Sequence, residues 1–163
     1  MKTNLNRFKA ALKKVAKELP HKVVTDTQLA IGQHVYEKVI LRTPVLSGHA
    51  RHNWMPSVNV QVQEEQEGVF GGDRTGEPIT SQERQRWKAV RKELQSMPVG
   101  QTVWICNNVP YINKLEFGGY PDGPNTVDGF SKKAPQGMVG VTLIEVIEGV
   151  YKQQPKVMGE DEQ

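Results

Sequence analysis

Long apolar runs are missing from this chain, and with them the roughly 20-residue span that a membrane helix needs. The basic N-terminal stretch is not followed by a continuous apolar segment, so it does not read as a secretory signal. Cysteine is almost absent. Cys106 stands alone in 163 residues, which rules out an intrachain disulfide and points to a reducing setting or to independence from oxidation. Apolar residues make up only 37% and charged residues 24%. This is a globular composition with a lean core, sized for one domain. We expect a single domain over residues 1–155 and an acidic, flexible tail over 156–163. A lean core also leaves room for surface that only neighbouring copies bury.

The residues that carry chemistry are equally sparse. His49 and His52 form an H-x-x-H pair, but no second ligand cluster accompanies them, and known metal sites need three or four ligands. Two side chains at this spacing meet only on a helical turn. Cys106 lies in an apolar stretch, where a thiol behaves as a small hydrophobe. No serine sits in a G-x-S-x-G elbow. The loop Gly71–Gly76 lacks the Gly-Lys-Ser/Thr ending of a phosphate-binding loop. Glu64, Glu65 and Glu67 share a polar turn with no apolar neighbourhood to split their proton affinities. Asp122 and Asp128 are too far apart for a calcium loop. We therefore expect no catalytic residue, no metal and no cofactor.

What the chain does have is a polarised charge pattern. Its formal net charge is only +3, yet residues 1–22 hold seven Lys or Arg against one Glu, and the far end carries Glu160, Asp161 and Glu162. Such asymmetry orients association between copies or with an anionic partner. Lys9, Lys13 and Lys17 step by four along one face of an amphipathic helix and form the candidate contact to DNA or to a partner protein.

Hydrophobic spacing predicts the elements. Leu5, Phe8, Leu12, Val15 and Leu19 trace a first helix, with Pro20 at its end. A second helix runs from Thr25-Asp26 to the residues before Pro44. Period-two alternation from Asn53 to Val62 predicts a long strand with an exposed edge at Pro56, and Val69-Phe70 starts a short return strand. Thr80 and Glu83 form a capping box for a helix over Thr80–Ser96. Gln101 to Asn107 reads as a second strand built on Val103, Trp104 and Ile105. Tyr111–Phe117 is either a short helix or an extended edge. Gly118–Gly137 is a long Gly- and Pro-rich loop. Met138–Gln153 closes the fold as a helix whose core stripe is Val139, Leu143, Val146, Ile147 and Val150. The expected fold is α+β: a small, mostly antiparallel or mixed sheet packed against N- and C-terminal helices, with a helix inserted between strands.

Two segments carry a resemblance. One is Thr43-Pro44-Val45-Leu46-Ser47-Gly48-His49-Ala50-Arg51-His52-Asn53-Trp54, and the other is Val109-Pro110-Tyr111-Ile112-Asn113-Lys114-Leu115-Glu116-Phe117-Gly118. With Ala134-Pro135-Gln136-Gly137-Met138-Val139 in third place, their order resembles the tail-completion (tail-terminator, head–tail joining) proteins of long-tailed bacteriophages. Those proteins show T-P-V-D-T-G-x-L-R after a helix and P-Y-A-x-x-x-E-F-G after a later strand. The match extends from about residue 25 to 153. It departs at Leu46, where the family has Asp, at Ala50, where a larger apolar residue is common, and in the added helix Thr80–Ser96.

The resemblance implies a virion protein that caps the tail tube as a ring, commonly six-fold, and presents a surface to the head connector. It singles out Thr43, Pro44, Gly48, Arg51 and Trp54 as turn residues, and Pro110, Tyr111, Glu116, Phe117 and Gly118 as anchors. Arg84, Lys88, Arg91, Tyr120 and Phe130 are then the candidate interface. A head-side adaptor or stopper ring is the neighbouring reading, and a DNA-binding accessory protein is a different one. A small hydrolase or nuclease would need a converging set of titratable groups, which the sequence does not supply.

Overall fold

The computed structural model describes the backbone of residues 2–68 and 75–152, with side chains described over 20–68 and 75–149. The fold is α+β, with five helices and two small antiparallel sheets.

Helix α1 spans Lys2–Arg42 without interruption and holds Pro20 inside it. The expected break at Pro20 is therefore absent. Proline costs one backbone hydrogen bond, but the turns that follow are held from outside. The His21 ring bonds the Met97 carbonyl at 2.9 Å and Gln28 donates to the Gln101 carbonyl at 2.7 Å. Leu29, Tyr36, Val39 and Ile40 on the second half of α1 are buried. The helix stops at Thr43, whose hydroxyl donates to the Val39 carbonyl at 2.6 Å before Pro44 forbids another turn.

Helix α2 is a single turn, His49–His52, entered through Gly48 at φ 81°. Strand β1, Met55–Val58, pairs with β2, Val103–Cys106, in antiparallel register, Met55 opposite Cys106 and Val58 opposite Val103. The long strand expected from Asn53 to Val62 is thus four residues. Asn53 and Trp54 belong to the end of the α2 turn, and Asn59 at φ 59° breaks the extended backbone. The return strand expected at Val69-Phe70 lies outside the described residues.

Helix α3, Ser81–Ser96, begins with the capping box read from the sequence: the Glu83 amide donates to the Thr80 hydroxyl and the Thr80 amide to the Glu83 carboxylate. Its buried face is Trp87, Val90 and Leu94. Trp87 stacks on Tyr36 with ring centres 5.6 Å apart. Gly32 makes this possible, because a Cβ there would lie 2.7 Å from the Trp87 ring. Burial pushes the Tyr36 phenol well above its ordinary range.

Helix α4, Ile112–Phe117, resolves the open choice at that segment in favour of a helix. The long glycine-rich stretch is not a bare loop. It contains a hairpin, β3 Thr126–Val127 and β4 Phe130–Ser131, turned by Asp128 and Gly129, both at positive φ. Asp-Gly is the pair that such a two-residue turn favours. Helix α5, Val139–Lys152, runs back along α1: Thr142 meets Arg42, while Glu145 reaches Lys38 and His34. The core brings together α1, α3 and β1 with Val109, Leu115, Ala134 and Met138. Among the described residues no helix is long and apolar enough to cross a membrane.

Candidate assembly surface

The first resembling segment is built as an interlocked turn. The Trp54 indole donates to the Thr43 hydroxyl at 2.8 Å, closing the corner between α1 and β1. Asn53 donates to the His49 and Gln66 carbonyls and accepts from the Gln66 amide at 2.6 Å. Arg51, expected at the turn, is held there by its neighbours. It sits on α2, 1% exposed, with its guanidinium against Glu83 at 3.4 Å and the Pro78 carbonyl at 2.9 Å. The added helix α3 is therefore tied to this turn by a buried ion pair. His52 also faces Glu83, at 3.6 Å.

The second segment docks on the first. Tyr111 hydrogen-bonds the Ala50 backbone, Asn107 just before the segment donates to the Ala50 carbonyl at 2.7 Å, and Leu115 is buried. Glu116 is the hinge of the arrangement. Its carboxylate accepts from the amides of Met138, Val139 and Gly140 at 2.7–2.8 Å, capping the start of α5. A carboxylate there also meets the positive end of the helix dipole. Gly137, at φ 75°, packs so tightly on Glu116 that a Cβ would lie 2.4 Å from its carbonyl oxygen. The three segments that were separate in sequence thus form one structural unit. Gly118, at φ 80°, lets the Phe130 ring lie against it. Phe117 is not an anchor. It is 77% exposed, because the α4 face that turns inward carries Leu115 instead. Pro110 is exposed and Tyr111 half-buried.

Between these segments opens a cavity of about 650 Å³, with Val45, Ala50, Tyr111, Leu115 and Tyr120 on its walls and Lys132 and Lys133 at its edge. Burial raises the phenol pKa of both Tyr111 and Tyr120. His49 also lines it, and its ring is engaged by Glu65. Among the described residues no group of three or more His, Cys, Asp or Glu is placed to hold a metal ion.

A second feature lies on α5. Leu143, Ile144 and Ile147 are 45%, 60% and 53% exposed. Leu143 and Ile147 had been expected in the core. Thr142 and Glu145 take the inward positions instead, because α1 presents Arg42, Lys38 and His34 to them. Apolar residues lie all round α5, so spacing alone does not distinguish its faces. Leu46, at the tip of the first turn, is 97% exposed.

The five residues expected to form one interface separate into two places. Arg84, Lys88 and Arg91 border a shallow pocket beside Trp87, where Arg91 donates to Gln33 at 2.8 Å. Tyr120 lines the larger cavity and Phe130 sits on the hairpin. The side chains of Lys9, Lys13 and Lys17 lie outside the described residues, as does the tail 156–163.

The Glu145 cluster gives a test of how α5 is held. The side-chain bonds from Arg42 and Lys38 lower the Glu145 pKa from 4.5 to about 2. A depressed carboxylate pKa contributes stability above 4.5 that is lost as the pH falls toward 2. The pairs are solvent-screened, so Glu145→Gln should cost under about 1 kcal/mol near neutrality. The difference in melting temperature between variant and parent should shrink as pH falls through that window. A constant difference down to pH 2 would assign the effect to packing.

Compared with family models, with curated proteins and with solved structures, the chain matches none, so the reading of its function rests on its own residues and geometry.

Proposed function

We propose that the chain is a structural virion protein, a subunit of a ring at the head–tail junction of a long-tailed bacteriophage. In this reading it terminates the tail tube, binds the tube protein on one side and the head connector on the other, and acts by assembly without catalysis. The ring is six-fold, and DNA passing through its channel makes at most non-specific contacts. A head-side adaptor or stopper ring is the nearest alternative.

The observation that carries the proposal is the exposed apolar row Leu143, Ile144 and Ile147 on a helix otherwise docked to the core. An apolar row of this kind marks a contact site when it forms a patch. A closed ring of identical subunits supplies the contact through a heterologous interface. The interlocked turn and the Glu116 cap support the resemblance, because they give its motif residues specific structural tasks.

The double substitution Leu143→Glu with Ile147→Glu should leave the monomer's unfolding free energy within about 0.5 kcal/mol, as exposed positions allow. The same variant should fail to form rings and fail to restore tails that lack the protein. Normal rings from it would move the interface elsewhere on the chain. A DNA-binding accessory role would instead show as salt-sensitive DNA affinity lost on replacing Lys9, Lys13 and Lys17.

A further inference from the structure

The protomer leaves two apolar surfaces uncovered, one concave with a cationic edge and one convex with an acidic end. The concave one is the cavity of about 650 Å³ walled by Val45, Ala50, Tyr111, Leu115 and Tyr120. Leu46 also lines it and is 97% exposed, so an apolar side chain stands uncovered at its mouth. Lys132 and Lys133 border it, both exposed, and neither forms an ion pair among the described residues. The convex surface is on α5. Ile147 follows Leu143 by one turn and Glu148 follows Ile144 by one turn, so the four share one face of the helix. All four are exposed.

We propose that Leu143, Ile144 and Ile147 of one copy insert into this cavity of a neighbouring copy, with Leu46 at the mouth and Glu148 against Lys133.

The row does not fill the cavity of its own chain. None of its residues lines that cavity, and α5 is held on α1 by Arg42 and Lys38, which bond Glu145. The two surfaces are fixed in one protomer without meeting, and a second copy brings them together. A helix face laid into an apolar groove is a recurring mode of recognition, with its anchors at such helical steps. The aliphatic side chains supply the affinity, and the Glu148–Lys133 pair sets the register. Row and cavity use different residues, so the contact is heterologous. Each copy gives a row and receives one, and a closed ring leaves neither surface uncovered. The inference rests on the ring reading and names the surface that its apolar row meets.

The test uses two full-length variants, Leu46→Cys at the cavity mouth and Ile147→Cys on the row, with a short bismaleimide linker. Both positions are exposed, so neither change disturbs the fold, and the native Cys106 is buried. Neither variant should link to itself. Their equimolar mixture should give a dimer, and a chain carrying both substitutions should give a ladder that ends at the closed ring. Adding Lys133→Glu to the first variant should lower the mixed dimer about two- to five-fold at low salt, and adding Glu148→Lys to the second should restore it. Self-linking of Ile147→Cys would mean that row meets row and overturns the inference. Linking of Leu46→Cys to a tail or connector protein instead of a second copy also overturns it. If the parent protein forms rings in electron microscopy while the mixture gives no dimer, the contact is wrong and the ring reading stands. A parent protein that stays monomeric at every concentration and on tails overturns both.

Discussion

Gly137→Ala is expected to lower the melting temperature by roughly 10 °C. The new Cβ would lie 2.4 Å from the Glu116 carbonyl oxygen and 3.0 Å from its carboxylate, at a backbone φ of 75°. A non-glycine residue in that left-handed region costs about 1–2 kcal/mol before any clash is counted. Relieving the clash moves the Glu116 backbone, and with it the carboxylate that holds three amides at the start of α5. Charge-assisted bonds of this kind contribute about 1.5–3 kcal/mol. A total of about 3–4 kcal/mol, at about 2–4 °C per kcal/mol for a chain of this size, gives the stated shift. Calorimetry measures it directly. A shift below about 2 °C would mean that the junction between α4 and α5 yields without loss.

The second large effect is at the buried ion pair. Glu83→Ala should destabilise the protein by about 3–5 kcal/mol in urea unfolding, the cost of stripping a buried charge of its partner. Glu83 is fully buried and is shared between Arg51 and the capping box of α3. Replacing both members, Arg51→Met with Glu83→Leu, should recover most of the loss, since an apolar pair of similar volume removes the uncompensated charge. The remaining deficit of about 1 kcal/mol is the lost cap. If the double variant were as unstable as Glu83→Ala alone, the cap and not the charge would dominate.

These two sites also show what sequence makes visible. The capping box Thr80/Glu83 follows a local rule and is found where that rule places it, and the strand expected over Gln101–Asn107 is found in its middle, at Val103–Cys106. The partners of Glu83 and Glu116 are 32 and 22 residues away, and no local pattern announces such pairs. Pro20 looked like a terminator because propensity is local, whereas the turns after it are held by Met97 and Gln101. Leu143 and Ile147 looked like core because α5 is apolar on most sides. The inward face was decided by Arg42 and Lys38, which draw Glu145 toward α1. The cavity was hidden for the same reason: its walls come from residues 44–50, 111–120 and 125–133, joined only by the fold.

The exposed residues and the buried ones divide the labour. Thr43, Arg51, Trp54, Glu116 and Gly137 are consumed in holding the corner, the inserted helix and α5 together. Leu46, Phe117, Leu143, Ile144 and Ile147 contribute little to the protomer's own packing. In the proposed ring, these exposed apolar side chains are the ones left to meet neighbouring copies.

Electron microscopy of the purified protein mixed with phage tails that lack it tests this claim most directly. The account predicts closed rings of one stoichiometry seated at the head-proximal end of the tube, with head joining restored. Tails left bare while the protein stays monomeric and folded would contradict it.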